Sequence, residues 1–305
     1  MTLPRLLDPL LPGRAGLYLS MFAHGLLNHR GFAREHVAFF ERLCADLGGV
    51  AGKRILDVGC GKSGWLTLLL HSAGAQVTGI DTEVVDPGLR WSKYRRILAT
   101  NGAERVLRTL AWDVLFATPY YRELARLAPV PLRFEGLDTR AVRGDGMPFD
   151  DGTFDAVVSF EVFEHIRDVP AVIADLRRVM KPGGTTYIYV HNWASLSGGH
   201  HIAWKYPDTA PSRRVPPWDH LRENRYPLIP SWLNRHRIHE YRAMFESSFE
   251  IQHWRTTECE GRELLTPRLA AELPGFTPEE LTCKGFIVQA RPRAGAAAMA
   301  RAVGA

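Results

Sequence analysis

The chain has 305 residues, 46% hydrophobic and 23% charged, with a net charge of +5. That suits a globular protein with one large α/β domain and additions, and so modest a charge permits an anionic ligand without marking a nucleic-acid groove. No apolar run approaches the ~20 residues that span a bilayer. The four cysteines, Cys44, Cys60, Cys259 and Cys283, form no C-x-x-C pair. This fits reduced thiols in a cytoplasmic protein and argues against a disulfide framework or a Cys-rich zinc site. The first 22 residues are apolar enough to resemble a signal peptide. Pro4, Arg5, Asp8, Pro9, Pro12 and Arg14 interrupt them, and no small-residue cleavage site follows.

From Phe32 onward Val37, Phe39, Phe40, Leu43 and Leu47 recur at helical spacing until Gly48-Gly49. Residues 1–50 therefore read as an N-terminal helical cap, part cover for a sheet edge and part lid. Lys53 to Val58 is the first strand. Gly59-Cys60-Gly61-Lys62-Ser63-Gly64 turns it into a helix over 63–73. Gly59 and Gly61 let the backbone approach a ligand, a feature shared with dinucleotide-binding folds. A second strand, Gln76-Val77-Thr78-Gly79-Ile80, ends on Asp81.

Residues 82–137 are longer than a compact α/β unit needs. They read as an inserted pair of helices, 91–100 and 104–126, broken at Asn101-Gly102. Trp91, Tyr94, Trp112, Phe116, Tyr120 and Tyr121 are expected as core aromatics. Arg90, Lys93, Arg95, Arg96, Arg105, Arg108 and Arg122 are expected as a solvated basic face. The insert could form a substrate wall or a homodimer contact. Base stacking with phosphate binding is its nucleic-acid alternative. A third strand with its exit loop is placed at 140–145, a fourth strand at 154–160, a helix at 170–180 stopped by Lys181-Pro182-Gly183-Gly184, and a fifth strand at 185–191. A helix over 238–245 and strands at 249–257 and 283–290 follow, and 291–305 reads as a disordered tail.

Taken together, Asp57-Val58-Gly59-Cys60-Gly61, Asp81, Gly144-Asp145-Gly146-Met147-Pro148-Phe149, Phe154-Asp155-Ala156-Val157-Val158-Ser159 and Val179-Met180-Lys181-Pro182-Gly183-Gly184 resemble the class I S-adenosylmethionine (SAM)-dependent methyltransferases, of the type 11 kind. The likeness is good over about 50–195. It implies a Rossmann-like, doubly wound α/β sheet of seven strands in the order 3-2-1-4-5-7-6, the seventh antiparallel. One methyltransferase domain would then span 51–290. It also implies SAM as cofactor. The amides of Gly59, Cys60 and Gly61 would face its carboxylate and Asp57 its ammonium, unless Asp57 only caps the loop. Asp81, with Glu83 as alternative, would take the ribose hydroxyls. Asp145 would take the adenine amino group, with the backbone of Gly146 or Met147 beside the ring. Glu161 could line the methionine end.

After the fourth strand, Glu161, Glu164 and His165 stand at i, i+3 and i+4, on one face if a helical turn follows. Two carboxylates and an imidazole so placed call for a positive partner. The E-x-x-E-H pattern resembles the metal-dependent O-methyltransferases of ubiquinone biosynthesis and the small-RNA 2′-O-methyltransferases. Glu161, Glu164 and His165, with His201 or His200 as fourth ligand, could therefore hold Mg²⁺ or Mn²⁺, with Fe²⁺ or Zn²⁺ less favoured. In a metal-free site His165, His201 and His220 are the candidate bases. Residues 191–236, rich in His, Trp, Arg and Pro, read as an ordered substrate loop, with Asp219 beside His220, and Arg222 and Arg225 for an anionic group. The expected activity is O-methylation of a small-molecule hydroxyl, such as a secondary metabolite, sugar or quinone-like acceptor. RNA methylation, N- or C-methylation, and SAM binding without transfer are the alternatives.

Overall fold

The computed structural model describes residues 28–82, 91–142, 146–204, 212–226 and 232–293. Its strands are β1 Arg54–Val58, β2 Gln76–Asp81, β3 Asp138–Ala141, β4 Phe154–Phe160, β5 Met180–His191, β6 Phe249–Thr256 and β7 Gly285–Pro292. They form one sheet in the order β3-β2-β1-β4-β5-β7-β6, as the resemblance implies, with β7 antiparallel to β5 and β6. The helices are α1 His29–Asp46, α2 Trp65–Ser72, α3 Trp91–Trp112, α4 Thr118–Leu127, α5 Val169–Val179, α6 Ile238–Ser248 and two single-turn helices, α7 Pro267–Ala271 and α8 Pro278–Thr282. None of the described helices is long and apolar enough to cross a membrane. The chain divides into two compact units, Met1–Arg143 and Gly144–Ala305.

In the first unit, β1 is buried after its opening arginine. A strand covered on both faces reads as an unbroken apolar run. It pairs in parallel with β2, setting Asp57 opposite Gly79. Helix α1 buries Ala33, Val37, Phe40 and Leu43, spaced three or four apart. The ring of His36 on α1 stacks on Trp65 at 4.0 Å and its Nδ1 lies 2.7 Å from the Tyr120 hydroxyl. The N-terminal helix is thereby fastened to the insert as well as to α2.

The insert differs from its expected form in three ways. Its first helix does break at Gly102 (φ +80°), but a second irregularity, a π turn over Asp113–Ala117, separates α3 from α4. Pro119, in the first turn of α4, has no N–H to offer the carbonyl four residues back, so the helix widens ahead of it. Trp91 and Trp112 are exposed, at 79% and 41%, and are not core aromatics. Lys93, expected in solvent, is only 2% exposed and lies 2.6 Å from the buried Asp113 carboxylate. Tyr94, Tyr120 and Tyr121 are buried as expected. Arg90 lies outside the described residues.

In the second unit, β4 and β5 pair in parallel, with a register shift between Phe154 and Ala156. Lys181-Pro182-Gly183-Gly184, expected as a loop, is instead a bulge within β5, which begins at Met180. Helix α5 starts where the Asp168 carboxylate accepts the Ala171 N–H, with Pro170 in its first turn. β7 runs two residues past 290, through Arg291 and Pro292. Residues 1–27 and 294–305, the ends of the expected cap and tail, lie outside the described residues.

Candidate active site

The glycine turn after β1 is built by backbone demand. Gly59, Gly61 and Gly64 all have positive φ, at +77°, +63° and +50°, the left-handed region that glycine enters without penalty. The N–H groups of Gly59 and Cys60 both bond the Ile80 carbonyl, at 2.8 and 3.0 Å. The Gly61 N–H donates to Asp81 Oδ2 at 2.9 Å, and Thr82 Oγ1 donates to Asp81 Oδ1 at 3.3 Å. Asp81 thus joins the end of β2 to the turn. On the far side, Tyr121 donates its hydroxyl to the Ser63 carbonyl at 2.5 Å.

Asp57 is 1% exposed and accepts the Thr67 hydroxyl at 2.6 Å. Burial pushes its carboxyl up to about 7. The Thr67 bond works against that rise, and the Asp81 charge adds to it. Burial likewise raises the Cys60 thiol, with Asp57 and Asp81 adding their repulsion, so it is an inert thiol. Asp145 and Glu83 lie outside the described residues.

In the second unit, Gly146 (φ +108°) and Met147 stand in a loop held from α5. The Met147 N–H donates to the Asp175 carboxylate. The Arg178 guanidinium donates to the carbonyls of Met147 at 2.8 Å and Phe149 at 2.6 Å, and to Asp175 Oδ1 at 2.7 Å. Asp175 and Arg178 were not foreseen as site residues. Their i, i+3 spacing on the polar side of α5 was the available signal.

Beyond β4 the chain does not continue as an α-helical turn. Glu161 takes a left-handed conformation (φ +55°) and a 3-10 turn spans Phe163–His165. Asn234 clamps that turn, donating from Nδ2 to the carbonyls of Phe163 and Ile166 at 2.7 and 3.0 Å. Glu161, Glu164 and His165 therefore do not share one face. Glu164 points inward and is 3% exposed. His165 sends Nδ1 to the Trp232 carbonyl at 3.0 Å.

The partners of Glu164 come from β5 and the loop after it. His191 ends β5, and Gly198-Gly199 fold the loop back on itself. A Cβ on Gly198 would lie 2.2 Å from the Asn192 carbonyl oxygen, and one on Gly199 would lie 2.5 Å from the His220 ring. The fold-back delivers His200 (φ +54°), whose ring centroid is 4.8 Å from that of His191 and 5.1 Å from that of His165. Glu164, His191 and His200 each offer a ligand atom within 4.8 Å of the others. The expected set of Glu161, Glu164, His165 and His201 is not what converges. Glu161 stands beside the group, its Oε1 3.8 Å from His191 Nδ1. His201 accepts the Ala203 N–H on Nδ1 at 3.1 Å. Burial, then the Glu161 charge, raises the Glu164 carboxyl well above the usual range; the nearby N–H groups of Glu164 and His191 oppose this. His191 stands at the carboxyl end of a central strand, the edge that faces ligands in open α/β sheets, and could have been named on that ground.

The remaining loop residues are committed to the protein itself. His220 donates Nε2–H to the Trp193 carbonyl at 2.9 Å, and burial pushes its pKa down to about 4. Asp219 accepts the Tyr226 N–H at 3.0 Å instead of bonding His220. Arg222 pairs with Glu272 at 2.7 Å and Arg225 with Glu223. Leu196, Trp204, Val215 and Trp218 bury themselves with Leu273 and Leu281 in a small core.

A family model described as a methyltransferase domain matches residues 28–248. The sterol 24-C-methyltransferase ERG6B of Gibberella zeae is 30% identical over 173 residues, 55% of this chain and 34% of that protein. A ubiquinone biosynthesis O-methyltransferase of Pseudomonas aeruginosa is 30% identical over 144 residues, 47% of each chain. The chain thus spans a third to a half of the length of these curated relatives. The solved S-adenosylmethionine-dependent methyltransferase of Mesorhizobium loti is 19% identical, covers 79% of this chain and 92% of its own, and has a TM-score of 0.43. With the family model matched over most of its length, and with that strand order in its sheet, the chain belongs to the class I SAM-dependent methyltransferases.

Proposed function

We propose that this protein transfers the methyl group of SAM to a hydroxyl of a small-molecule acceptor. The observation that carries the reading is the glycine turn between Asp57 and Asp81. Its glycines let a ligand close on the backbone, and its two acidic side chains would serve an ammonium and a ribose; the Gly59, Cys60 and Gly61 amides, expected to face a carboxylate, instead bond Ile80 and Asp81 within the protein. When bound, SAM supplies an electrophilic methyl on a sulfonium. The protein's part is to hold the acceptor oxygen in line and to take or shield its proton. The Met147 loop, braced by Arg178, would flank the adenine, and Glu161 would border the methionine end.

In this reading a histidine takes the acceptor's proton. Among the expected bases, His220 is enclosed and too weakly basic to draw a proton from an ordinary hydroxyl. Proton transfer by His165 would run through Nε2, since Nδ1 is bonded to the Trp232 carbonyl. C-methylation is the second reading, because the sterol 24-C-methyltransferase and the ubiquinone O-methyltransferase are both 30% identical to this chain over the matched stretches.

The test is release of S-adenosylhomocysteine from the purified protein with SAM and a panel of catechols, hydroquinones, sugars and sterols, with product mass and NMR locating the methyl group. Methyl on oxygen supports the proposal. Methyl on carbon transfers the assignment to the second reading, and SAM binding without turnover on any acceptor sinks both.

A further inference from the structure

We propose that Glu164, His191 and His200 form a binding site for a divalent transition-metal ion, held by one carboxylate and two imidazole nitrogens. The proposal does not depend on methyl transfer. It also departs from the E-x-x-E-H expectation: Glu164 and His200 were among the expected ligands, but His191, at the end of β5, takes the place of Glu161 and His165.

Glu164 gives the first argument. Both of its carboxylate oxygens are buried, and the nearby N–H groups of Glu164 and His191 reach neither in good hydrogen-bond geometry. A carboxylate taken out of water with so little hydrogen bonding is costly unless a cation or a proton neutralises it. His200 Nε2 lies 4.0 Å from Oε1, too far for a direct bond. That gap accommodates an ion more readily than a hydrogen bond.

His191 gives the second. Its Nε2 is 2.8 Å from Ser197 Oγ. Ser197 Oγ is in turn 2.8 and 3.0 Å from the two oxygens of Glu260, which also accepts the Ser197 N–H at 2.7 Å. A carboxylate only accepts, so the serine proton points to Glu260. Ser197 Oγ must then accept the proton on His191 Nε2. That fixes the tautomer and leaves the Nδ1 lone pair on the side of Glu161, 3.8 Å away. A lone pair facing carboxylates is repelled in an empty site and becomes a ligand when a cation lies between them. Orientation of a ligating histidine through its second nitrogen is how metal sites are commonly supported.

The donor set decides the metal class. Two imidazoles and one carboxylate suit Zn²⁺, Fe²⁺ or Mn²⁺, and they disfavour Mg²⁺ and Ca²⁺, which seek oxygen shells. The order expected from the sequence, with Mg²⁺ ahead of Zn²⁺ and Fe²⁺, is thereby reversed. Three protein ligands leave a coordination position open for water or an acceptor oxygen.

The test uses the full, untagged chain, freed of metal with a chelator and checked for folding by circular dichroism. Calorimetric titration with Zn²⁺ should show one equivalent bound. Glu164→Gln and His200→Gln should each weaken binding at least 100-fold, and Ser197→Ala about 10–100-fold through loss of the tautomer. His165→Ala and His201→Ala should bind Zn²⁺ as the parent does. The parent protein alone gives a second measurement that needs no variant: bound Co²⁺ should show imidazole nitrogens by pulsed electron paramagnetic resonance. Absence of saturable Zn²⁺ binding, binding undiminished in folded Glu164→Gln and His200→Gln, or a Co²⁺ complex without nitrogen ligands overturns the proposal. The first of these results would mean that a proton, carried by the carboxylate or an imidazole, neutralises the cluster.

Discussion

With Asp57 facing the SAM ammonium, as proposed, cofactor binding should expel a proton. In the ligand-free protein its carboxyl is buried and titrates at about 7. An ammonium group placed beside it would favour the charged form. Binding of SAM near pH 6 should then release about 0.9 protons, and near pH 8 about 0.1, the protonated fractions of a group with pKa about 7. Below pH 7 the affinity should fall by about tenfold, or ~1.4 kcal/mol, for each pH unit. Calorimetry at pH 6 in buffers of different ionisation enthalpy measures the protons directly. In Asp57→Asn the buffer dependence and the pH dependence should both vanish. The same shift has a stability consequence. The folded pKa lies above the ordinary aspartate value of 3.8, so the proton's stabilising contribution is complete below about pH 4 and is lost as pH rises through about 7. Ligand-free Asp57→Asn should therefore gain in melting temperature over the parent at pH 8 but not at pH 4. A SAM affinity flat from pH 5.5 to 8, with no buffer-dependent heat, would refute the placement of the ammonium.

Three further outcomes are expected. Asp81→Ala should weaken SAM binding by at least ~1.5 kcal/mol, since the ribose loses charge-assisted hydrogen bonds and the Gly61 N–H loses its acceptor; unchanged calorimetric affinity in a folded variant contradicts the ribose assignment. Arg178→Ala frees the Met147 and Phe149 carbonyls and should cost about 1–2 kcal/mol in urea unfolding, together with weaker SAM binding; loss of stability without any change in SAM affinity would place that loop away from the cofactor. Lys93→Met strands the buried Asp113 charge and should cost about 3–5 kcal/mol, most of it recovered in Lys93→Met/Asp113→Leu; equal stability of the single and double variants would show that the pair is not coupled.

Central strands were legible in the sequence because burial on both faces writes an apolar run. β4 begins and ends where the run from Phe154 to Phe160 does. β3 was misplaced because Asp138-Thr139-Arg140-Ala141, an edge strand only half-buried, has no such run. The cofactor turn was legible because positive φ demands glycine at fixed spacing. The grouping of Glu164, His191 and His200 was legible only in part: Glu164 and His200 stood among the expected ligands and His191 did not, because the grouping depends on the left-handed Glu161, the clamp from Asn234 and the fold-back at Gly198-Gly199. These are tertiary features that no local spacing encodes. Lys93 was misread for a related reason: its partner Asp113 sits beyond the Gly102 break, so helical periodicity does not connect them.

The loop that carries His200 is held by residues made much later in the chain. Asn192 Nδ2 bonds the carbonyls of Glu280 and Cys283, and Ser197 bonds Glu260. Helix α8 and β7 both lie past residue 248, where the family match ends. Closing contacts across 63 to 91 residues is slow, because the entropy of the intervening chain is lost before the contacts form. The glycine turn, Asp57 and Asp81 close over 10 to 20 residues. The glycine turn and the histidine cluster should therefore mature at different times: a refolding chain gains the turn early and the histidine cluster only when β7 has inserted between β5 and β6. Pulsed hydrogen exchange during refolding should find the Gly61 amide protected before the Ser197 amide.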